Sequence, residues 1–372
     1  MMKKLVGFVG WRGMVGSVLL NRLRKNNDFK NFNSVFLTTS QLNFNSPDIK
    51  NCISNNLKDA YNIKYLMSLD IIVSCQGQEY TKKVYTKLKN MHWKGYWIDA
   101  SSFLRMKEDA IIVLDPINYN AIKLGINKGI KTFVGGNCTV SLMLLALGGL
   151  FTNNLIEWIS VATYQSISGS GSKSMLELLN QIGYVYKNIS SYLSTSTSSI
   201  LKIEKKITFL LNSKNCPKNF MKVPLLGNVF PWIDSLMENG QTKEEWKGFV
   251  ETNKILNYKY NIPIDGICVR VPTLRCHSQV FTIKLKKDIS IKEIKYLLSS
   301  HNSWVKIIKN NIDHTISKLN PLQVTNTLNI PIGRIKKLNF GKKYLSAFSV
   351  GDQLLWGAAE PLRRILNILI SQ

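Results

Sequence analysis

Histidine is scarce in this 372-residue chain, with four in all (His92, His277, His301 and His314), so imidazole chemistry has few residues to draw on. Cysteine is also sparse. The six cysteines, Cys52, Cys75, Cys138, Cys216, Cys268 and Cys276, show neither metal-ligand spacing nor a disulfide framework. That pattern leaves free thiols, one of them a candidate reactive group, and no metal site is expected. Long hydrophobic runs are missing too. The longest, Leu142 to Phe151, contains Gly148 and Gly149 and falls well short of the roughly 20 residues that span a bilayer. Behind Met1-Met2-Lys3-Lys4 the apolar stretch is broken by Gly7 and Gly10, too short for the core of a secretory signal. A soluble, cytoplasmic protein with no membrane partner is the expectation.

Acidic residues are the other deficit. Asp and Glu number 23 against 49 Lys and Arg, for a formal net charge of +26. Clustered cations would suit a phosphate backbone through counterion release. Here the excess is spread along the whole chain, and short runs such as Lys284 to Lys287 and Lys336-Lys337 lack the interleaved aromatics on which bases stack. They read as solvated faces, and no nucleic-acid partner is expected.

What is present is enough apolar material, 45%, to fill two cores. Short apolar segments at Leu5 to Val9, Ser34 to Thr39, Ile71 to Cys75, Tyr96 to Ala100 and Ile111 to Leu114 read as strands. They alternate with helical stretches such as Met14 to Arg24. This order predicts an α/β fold whose N-terminal part is a Rossmann-like, doubly wound parallel sheet. After Gly135-Gly136 the pattern changes. Trp158 to Gln165, Gly266 to Val271 and Gln279 to Lys286 alternate apolar with polar residues, as in a mixed sheet with one wetter face, which predicts a second, α+β domain. The expected division is residues 1–136, completed by a C-terminal helix within 358–372 that returns to the first domain, and residues 137–357. Ser190 to Ser199, rich in Ser and Thr, reads as a loop or a helix entrance.

Gly10-Trp11-Arg12-Gly13-Met14-Val15-Gly16 follows the first strand and opens the first helix. Glycines there permit a tight turn and close backbone approach, and the helix N-terminus offers free N–H groups to a pyrophosphate. The second strand ends in Thr38-Thr39-Ser40, without the acidic residue that often holds an NAD ribose. With Arg12 nearby, this favours a 2′-phosphate and hence NADP. Cys138, in Gly135-Gly136-Asn137-Cys138-Thr139, precedes an apolar helical run and falls in the first turn of a helix, where the dipole lowers a thiol pKa. The residues alone leave two readings open, a nucleophile and a small buried apolar side chain. His277, in Arg275-Cys276-His277-Ser278-Gln279 between two strand candidates, is its best-placed proton-transfer partner; a satisfied structural histidine is the alternative. The other three histidines lie in Lys- and Asn-rich surroundings and read as surface residues.

The motifs at 10 to 16, 133 to 139 (Phe-Val-Gly-Gly-Asn-Cys-Thr), 244 to 247 (Glu-Glu-Trp-Lys), 275 to 279 and 351 to 364 (Gly-Asp-Gln-Leu-Leu-Trp-Gly-Ala-Ala-Glu-Pro-Leu-Arg-Arg) occur in one register. Together they closely resemble the aspartate-β-semialdehyde dehydrogenase family, in its Gram-negative bacterial branch, from about Leu5 to Ile368. The resemblance implies a C-terminal catalytic and dimerisation domain of the glyceraldehyde-3-phosphate dehydrogenase-like type, and a homodimer. It also implies NADPH-dependent reductive dephosphorylation of L-aspartyl-4-phosphate to L-aspartate 4-semialdehyde in amino-acid biosynthesis. Cys138 then matches the nucleophile and His277 the general acid and base. Gln165 matches a substrate-orienting residue, Arg270 the partner of the α-carboxylate and Glu244 that of the amino group. Arg105 and Lys247 match a pair that holds phosphate. Arg12, Gly13, Met14, Val15, Thr39, Ser40, Gln76, Ser168, Gly169, Ser170, Gly171, Ser172 and Gln353 match positions around NADP(H).

Two departures from the family pattern stand out: a bulkier Ser170 in the glycine-rich stretch, and a missing proline near Ser196. Asn137, with the backbone N–H of Cys138, is the expected donor pair for the oxyanion. Another acyl-phosphate reductase, such as an N-acetyl-glutamyl-phosphate reductase, is the alternative activity.

Overall fold

The first seven strands form one wholly parallel sheet: β1 (Leu5–Val9), β2 (Asn33–Thr38), β3 (Lys58–Asp59), β4 (Ile71–Ser74), β5 (Tyr96–Asp99), β6 (Ala110–Val113) and β7 (Thr132–Gly135). They are seen in a computed structural model that describes residues 3–42, 44–194 and 199–372. The sheet order is β3-β2-β1-β4-β5-β7-β6. Strands such as β4, Ile-Ile-Val-Ser, are buried at every residue because helices cover both faces, which is why they read as unbroken apolar runs. The order reverses between β1 and β4, and the crevice beyond their C-terminal ends is where such sheets hold ligands.

The second sheet is mixed. It comprises β8 (Ile156–Gln165), β9 (Ile264–Arg270), β10 (His277–Leu285), β11 (Val305–Ile307), β12 (Ile330–Leu338) and β13 (Gly341–Gly351), in the order β11-β12-β13-β10-β8-β9. Along β10, Phe281, Ile283 and Leu285 are buried, and the residues between them are half-buried. The buried face packs with helix Cys138–Thr152, whose residues from Thr139 to Phe151 are all buried. That helix has no polar side because it is enclosed on all sides.

The C-terminal helix Glu360–Ile370 lies against the first sheet. Its stripe of Leu362, Ile365, Leu366 and Leu369 shares a core with Phe8, Leu19, Leu23 and Phe133. Ion pairs reinforce the contact: Glu360 meets Arg22 and Arg363, Arg363 meets Asp28, and Arg364 makes two hydrogen bonds from Nε and Nη2 to the Asp115 carboxylate.

Two expectations need correction. Ser190 is not the start of a loop, because helix Ser172–Leu193 runs through it; Gln181, Val185 and Ile189 recur every fourth residue on its buried face and carry the helix past the first serines. Ser196 lies outside the described residues. His301 is not a free surface residue either: its ring packs against the backbone at Gly148, and burial lowers its pKa. Among the described residues no helix is long and apolar enough to cross a membrane.

Candidate active site

Helix Cys138–Thr152 begins at the end of β7, and its start is tightly capped. Asn137 Oδ1 accepts hydrogen bonds from the backbone N–H groups of Thr139 (2.9 Å) and Val140 (3.3 Å), two donors that the helix itself leaves unpaired. The Asn137 backbone N–H donates to Glu251 Oε2 at 2.6 Å, and Nδ2 donates to Glu244 Oε1 at 2.9 Å. Both polar atoms of the Asn137 side chain are thus engaged in fixing the helix start. In this structure the side chain is a cap and a brace.

Cys138, the first residue of the helix, is half-buried, and its Sγ lies 3.3 Å from His277 Nε2. His277 opens β10, directly after Cys276, whose φ of 73° places it in the left-handed region disfavoured for a side-chain-bearing residue. That backbone is held from two sides. Gln353 Oε1 accepts the Cys276 N–H at 2.8 Å, and Arg275 pairs with the buried Asp352 at 2.9 Å. The imidazole is wholly buried.

Charged side chains surround this pair. Helix Lys243–Leu256 presents Glu244, Lys247 and Glu251 on one face, at the spacing of successive helical turns. Lys247 Nζ donates to Glu244 Oε2 (3.0 Å) and to Asp234 Oδ2 (2.8 Å). Arg105 donates through Nη1 to Glu251 Oε1 (3.0 Å) and through Nε to the Gly135 carbonyl (2.8 Å). Arg270, at the end of β9, donates through Nη1 to the Ser166 carbonyl at 2.7 Å. Gln165, at the end of β8, donates through Nε2 to Glu244 Oε1 at 3.3 Å. β8, β9 and β10 are neighbours in register, so their ends deliver Gln165, Arg270 and His277 to one place.

Burial pushes the Cys138 thiol up to about 12, and Glu244 adds to the rise, while Arg270, Arg105 and Lys247 pull it down. The direction is opposite to the expected depression, because desolvation at the helix start outweighs the neighbouring cations. Burial, with Arg270 second, holds His277 down to about 3 against the opposing effect of Glu244. Burial also raises the pKa of Glu244, but Lys247, Asn137 and Gln165 outweigh it and the carboxyl stays below its usual range. The resting pair is therefore a thiol beside a neutral imidazole, in a ring of fixed charges.

A second cleft lies beyond β1, β2 and β4, lined by Gly10, Arg12, Gly13, Thr39, Ser40 and Gln76. Gly10 has φ +71°, and a Cβ there would sit 2.5 Å from the Cys75 backbone, so the turn tolerates no side chain. Met14 and Val15 begin the helix that follows. Arg12 lies 5.3 Å over the Trp11 ring and donates from Nη2 to Thr38 Oγ1 at 3.0 Å. Gln76 Nε2 donates to Thr39 Oγ1 at 3.2 Å.

The sequence of a semialdehyde dehydrogenase NAD binding domain matches residues 5–125, and that of a semialdehyde dehydrogenase dimerisation domain matches residues 147–356. Among solved structures, the chain is similar to aspartate semialdehyde dehydrogenase from Francisella tularensis. The two are 47% identical, with a TM-score of 0.93, over 99% of this chain and 100% of that one. The chain belongs to the aspartate-semialdehyde dehydrogenase family. It is an oxidoreductase with an NAD(P)-binding domain. More distant likenesses show the fold alone. Aspartate semialdehyde dehydrogenase II from Vibrio cholerae, complexed with ASA, is 21% identical with a TM-score of 0.78, over 100% of this chain and 99% of that one. The enzyme from Candida albicans, with NADP, is 14% identical with a TM-score of 0.66 over 98% of each chain.

Within this family fold the residues singled out from the sequence fall into two groups. Cys138, His277, Gln165, Glu244, Arg270, Arg105 and Lys247 gather around the thiol. Arg12, Gly13, Met14, Val15, Thr39, Ser40 and Gln76 border the glycine turn. Residues 168–172 lie on the side of the thiol group: Gly169 backs onto the Arg270 guanidinium and the His277 ring, and Gln353 Nε2 bonds Ser168 Oγ. Gly171 caps helix Ser172–Leu193. Ser170, the departure from the family pattern, turns its hydroxyl back to Ser174 at 3.2 Å. From behind, the segment Leu355–Ala359 presses on Cys138, and a Cβ at Gly357 would lie 2.6 Å from Cys138 Cβ. Sequence reasoning missed Glu251 and Ser166. Glu251 could have been found from its position, seven residues beyond Glu244 on the same helical face; Ser166 acts chiefly through its backbone, for which a sequence carries no sign.

Proposed function

We propose that the chain is an NADP-dependent, phosphorylating aspartate-semialdehyde dehydrogenase that converts L-aspartyl-4-phosphate to L-aspartate 4-semialdehyde through a thioester on Cys138. The observation that carries this reading is the 3.3 Å approach of Cys138 Sγ to His277 Nε2 among Arg105, Lys247, Arg270 and Glu244. The thiolate forms a bond to the acyl carbon as the bond to phosphate breaks. Arg105 and Lys247 receive the departing dianion, and the Arg270 fork holds the α-carboxylate. Glu244 accepts the substrate ammonium in exchange for donors it already holds from Asn137 and Gln165. The backbone N–H of Cys138 faces the charge that develops on the carbonyl oxygen. NADPH, when bound, supplies the hydride that reduces the thioester. Collapse of the resulting tetrahedral adduct expels the Cys138 thiolate and leaves the aldehyde, with His277 Nε2 donating a hydrogen bond to the departing sulfur. In the opposite direction phosphate releases the acyl group from sulfur.

The glycine turn fits a dinucleotide, since its backbone has no room for side chains and opens a helix. Arg12 and the hydroxyls of Thr38, Thr39 and Ser40 favour a 2′-phosphate over a bare ribose. A homodimer is supported by the apolar face of helix Ser172–Leu193, where Leu176, Leu179, Ile182 and Tyr186 are exposed within the span matching a dimerisation domain. The product is a precursor for lysine, threonine, methionine and diaminopimelate, and the free thiols suit the cytoplasm. The test follows absorbance on reduction of NADP with aspartate semialdehyde, with and without inorganic phosphate. Turnover should require phosphate and vanish in Cys138→Ala while that variant still binds NADPH. Activity indifferent to phosphate, or within tenfold of wild type in the variant, refutes the reading.

A further inference from the structure

Both ring nitrogens of His277 have neighbours, and the chain of donors behind Nδ1 has a fixed direction. The Ser166 backbone N–H donates to Nδ1 at 3.1 Å. A backbone N–H can only donate, so Nδ1 must offer its lone pair. Ser166 Oγ also lies 3.1 Å from Nδ1 and 3.0 Å from Ser168 Oγ, and Ser168 Oγ is bonded in turn to Gln353 Nε2. At the far end, Gln353 Oε1 accepts the Cys276 backbone N–H at 2.8 Å. That last bond identifies the amide oxygen of Gln353 and makes its nitrogen the donor to Ser168. Ser168 Oγ then passes its own hydrogen to Ser166 Oγ, and Ser166 Oγ passes its hydrogen to Nδ1. Every link donates toward the ring.

We propose that Ser166, backed by Ser168 and Gln353, is a positioning residue that locks His277 in the tautomer with hydrogen on Nε2, so that the resting imidazole meets Cys138 as a donor. The inference deepens the reading of the site given above and rests on it for its catalytic meaning. A neutral imidazole carries one hydrogen, and with Nδ1 receiving bonds that hydrogen is on the nitrogen 3.3 Å from the sulfur. A second hydrogen at Nδ1 would collide with the Ser166 N–H. Burial and Arg270 act in the same sense, against the imidazolium; Glu244 and a backbone hydrogen bond at Cys276 oppose them without prevailing. A Cys138 thiolate is favoured by Arg270, Arg105 and Lys247 and opposed by burial and Glu244. Once formed, it receives the Nε2 hydrogen as a bond.

The test is nitrogen NMR of the unliganded full-length protein labelled at histidine, with His277 assigned by the signals that disappear in His277→Asn; four histidines make this tractable. Nε2 should show the protonated signature and Nδ1 the unprotonated one throughout pH 8 to 5, in wild type and in Ser166→Ala, which keeps the backbone donor. Gln353→Glu removes the donor at the far end, lets Ser166 Oγ turn to accept, and should raise the pH at which the imidazolium forms. Hydrogen on Nδ1 or an imidazolium in the wild type at pH 7, or an unchanged titration in folded Gln353→Glu, overturns the proposal. The tautomer is read without substrate, so failure of the turnover assay and failure of this test are separate results.

Discussion

Asn137 links three parts of the site, and its replacement separates them. In Asn137→Ala the helix that carries Cys138 loses its cap, which costs about 1 kcal/mol, with a range of roughly 0.5 to 2. The buried Glu244 Oε1 also loses the Nδ2 donor, a penalty of about 1 to 3 kcal/mol that falls toward the lower end because Gln165 still donates to the same oxygen. The sum is about 2 to 3 kcal/mol. Asn137→Ser keeps an acceptor for the helix N–H groups and should recover about 1 kcal/mol of it. Asn137→Asp also keeps the acceptor but sets a carboxylate against Glu244, a repulsion of about 4 kcal/mol for charges about 4 Å apart at an effective dielectric constant of about 20. The stability order is therefore wild type, Ser, Ala, Asp. Urea unfolding followed by tryptophan fluorescence at pH 7.5 measures it. An alanine variant within about 0.5 kcal/mol of wild type, or an aspartate variant as stable as the serine one, refutes the assignment of cap and brace.

Three further outcomes follow from the same geometry. The His277 pKa is held down to about 3 in the folded chain against about 6.5 when unfolded, so the unfolded state takes up a proton first and stability falls as pH drops through that window. Between pH 7 and 5 wild type should lose about 2 kcal/mol more than His277→Asn in parallel urea titrations; equal losses would show a solvated ring. Arg12→Ala should raise the KM for NADP at least about tenfold and that for NAD by no more than about threefold, read from initial rates, because only the former presents a 2′-phosphate to the guanidinium. Arg364→Ala removes the Nε and Nη2 donors to Asp115 and should destabilise by about 1 to 3 kcal/mol, visible as a lower thermal midpoint with KM values unchanged.

The elements with strong local signals were legible. The parallel strands read as apolar runs because both faces are covered, and β10 read as alternating because one face is wetter. The glycine turn declared itself through residues that only its backbone geometry requires. What the sequence concealed was the pairing of charges. Nothing in the vicinity of Arg105 in the chain points to Glu251, which is brought from a distant helix; both look like ordinary solvated residues until folding buries them. The electrostatics of Cys138 were misread for a related reason. Position at a helix start is visible locally, whereas the desolvation that outweighs it is created by β10, by helix Lys243–Leu256 and by the C-terminal segment. Helix Ser172–Leu193 outlasted its serines because burial of Val185 and Ile189 overrode local composition.

The close approach of Gly357 to Cys138 joins the chain's last stretch to the paired thiol and imidazole. The polypeptide that runs on from Gly357 to clamp the nucleotide half also forms the back wall behind Cys138, so a single continuous piece of backbone registers one half of the molecule against the other at the thiol. A shift of the final helix along its groove would be felt at the thiol as a displaced wall, which makes the tail a mechanical part of the chamber around Cys138.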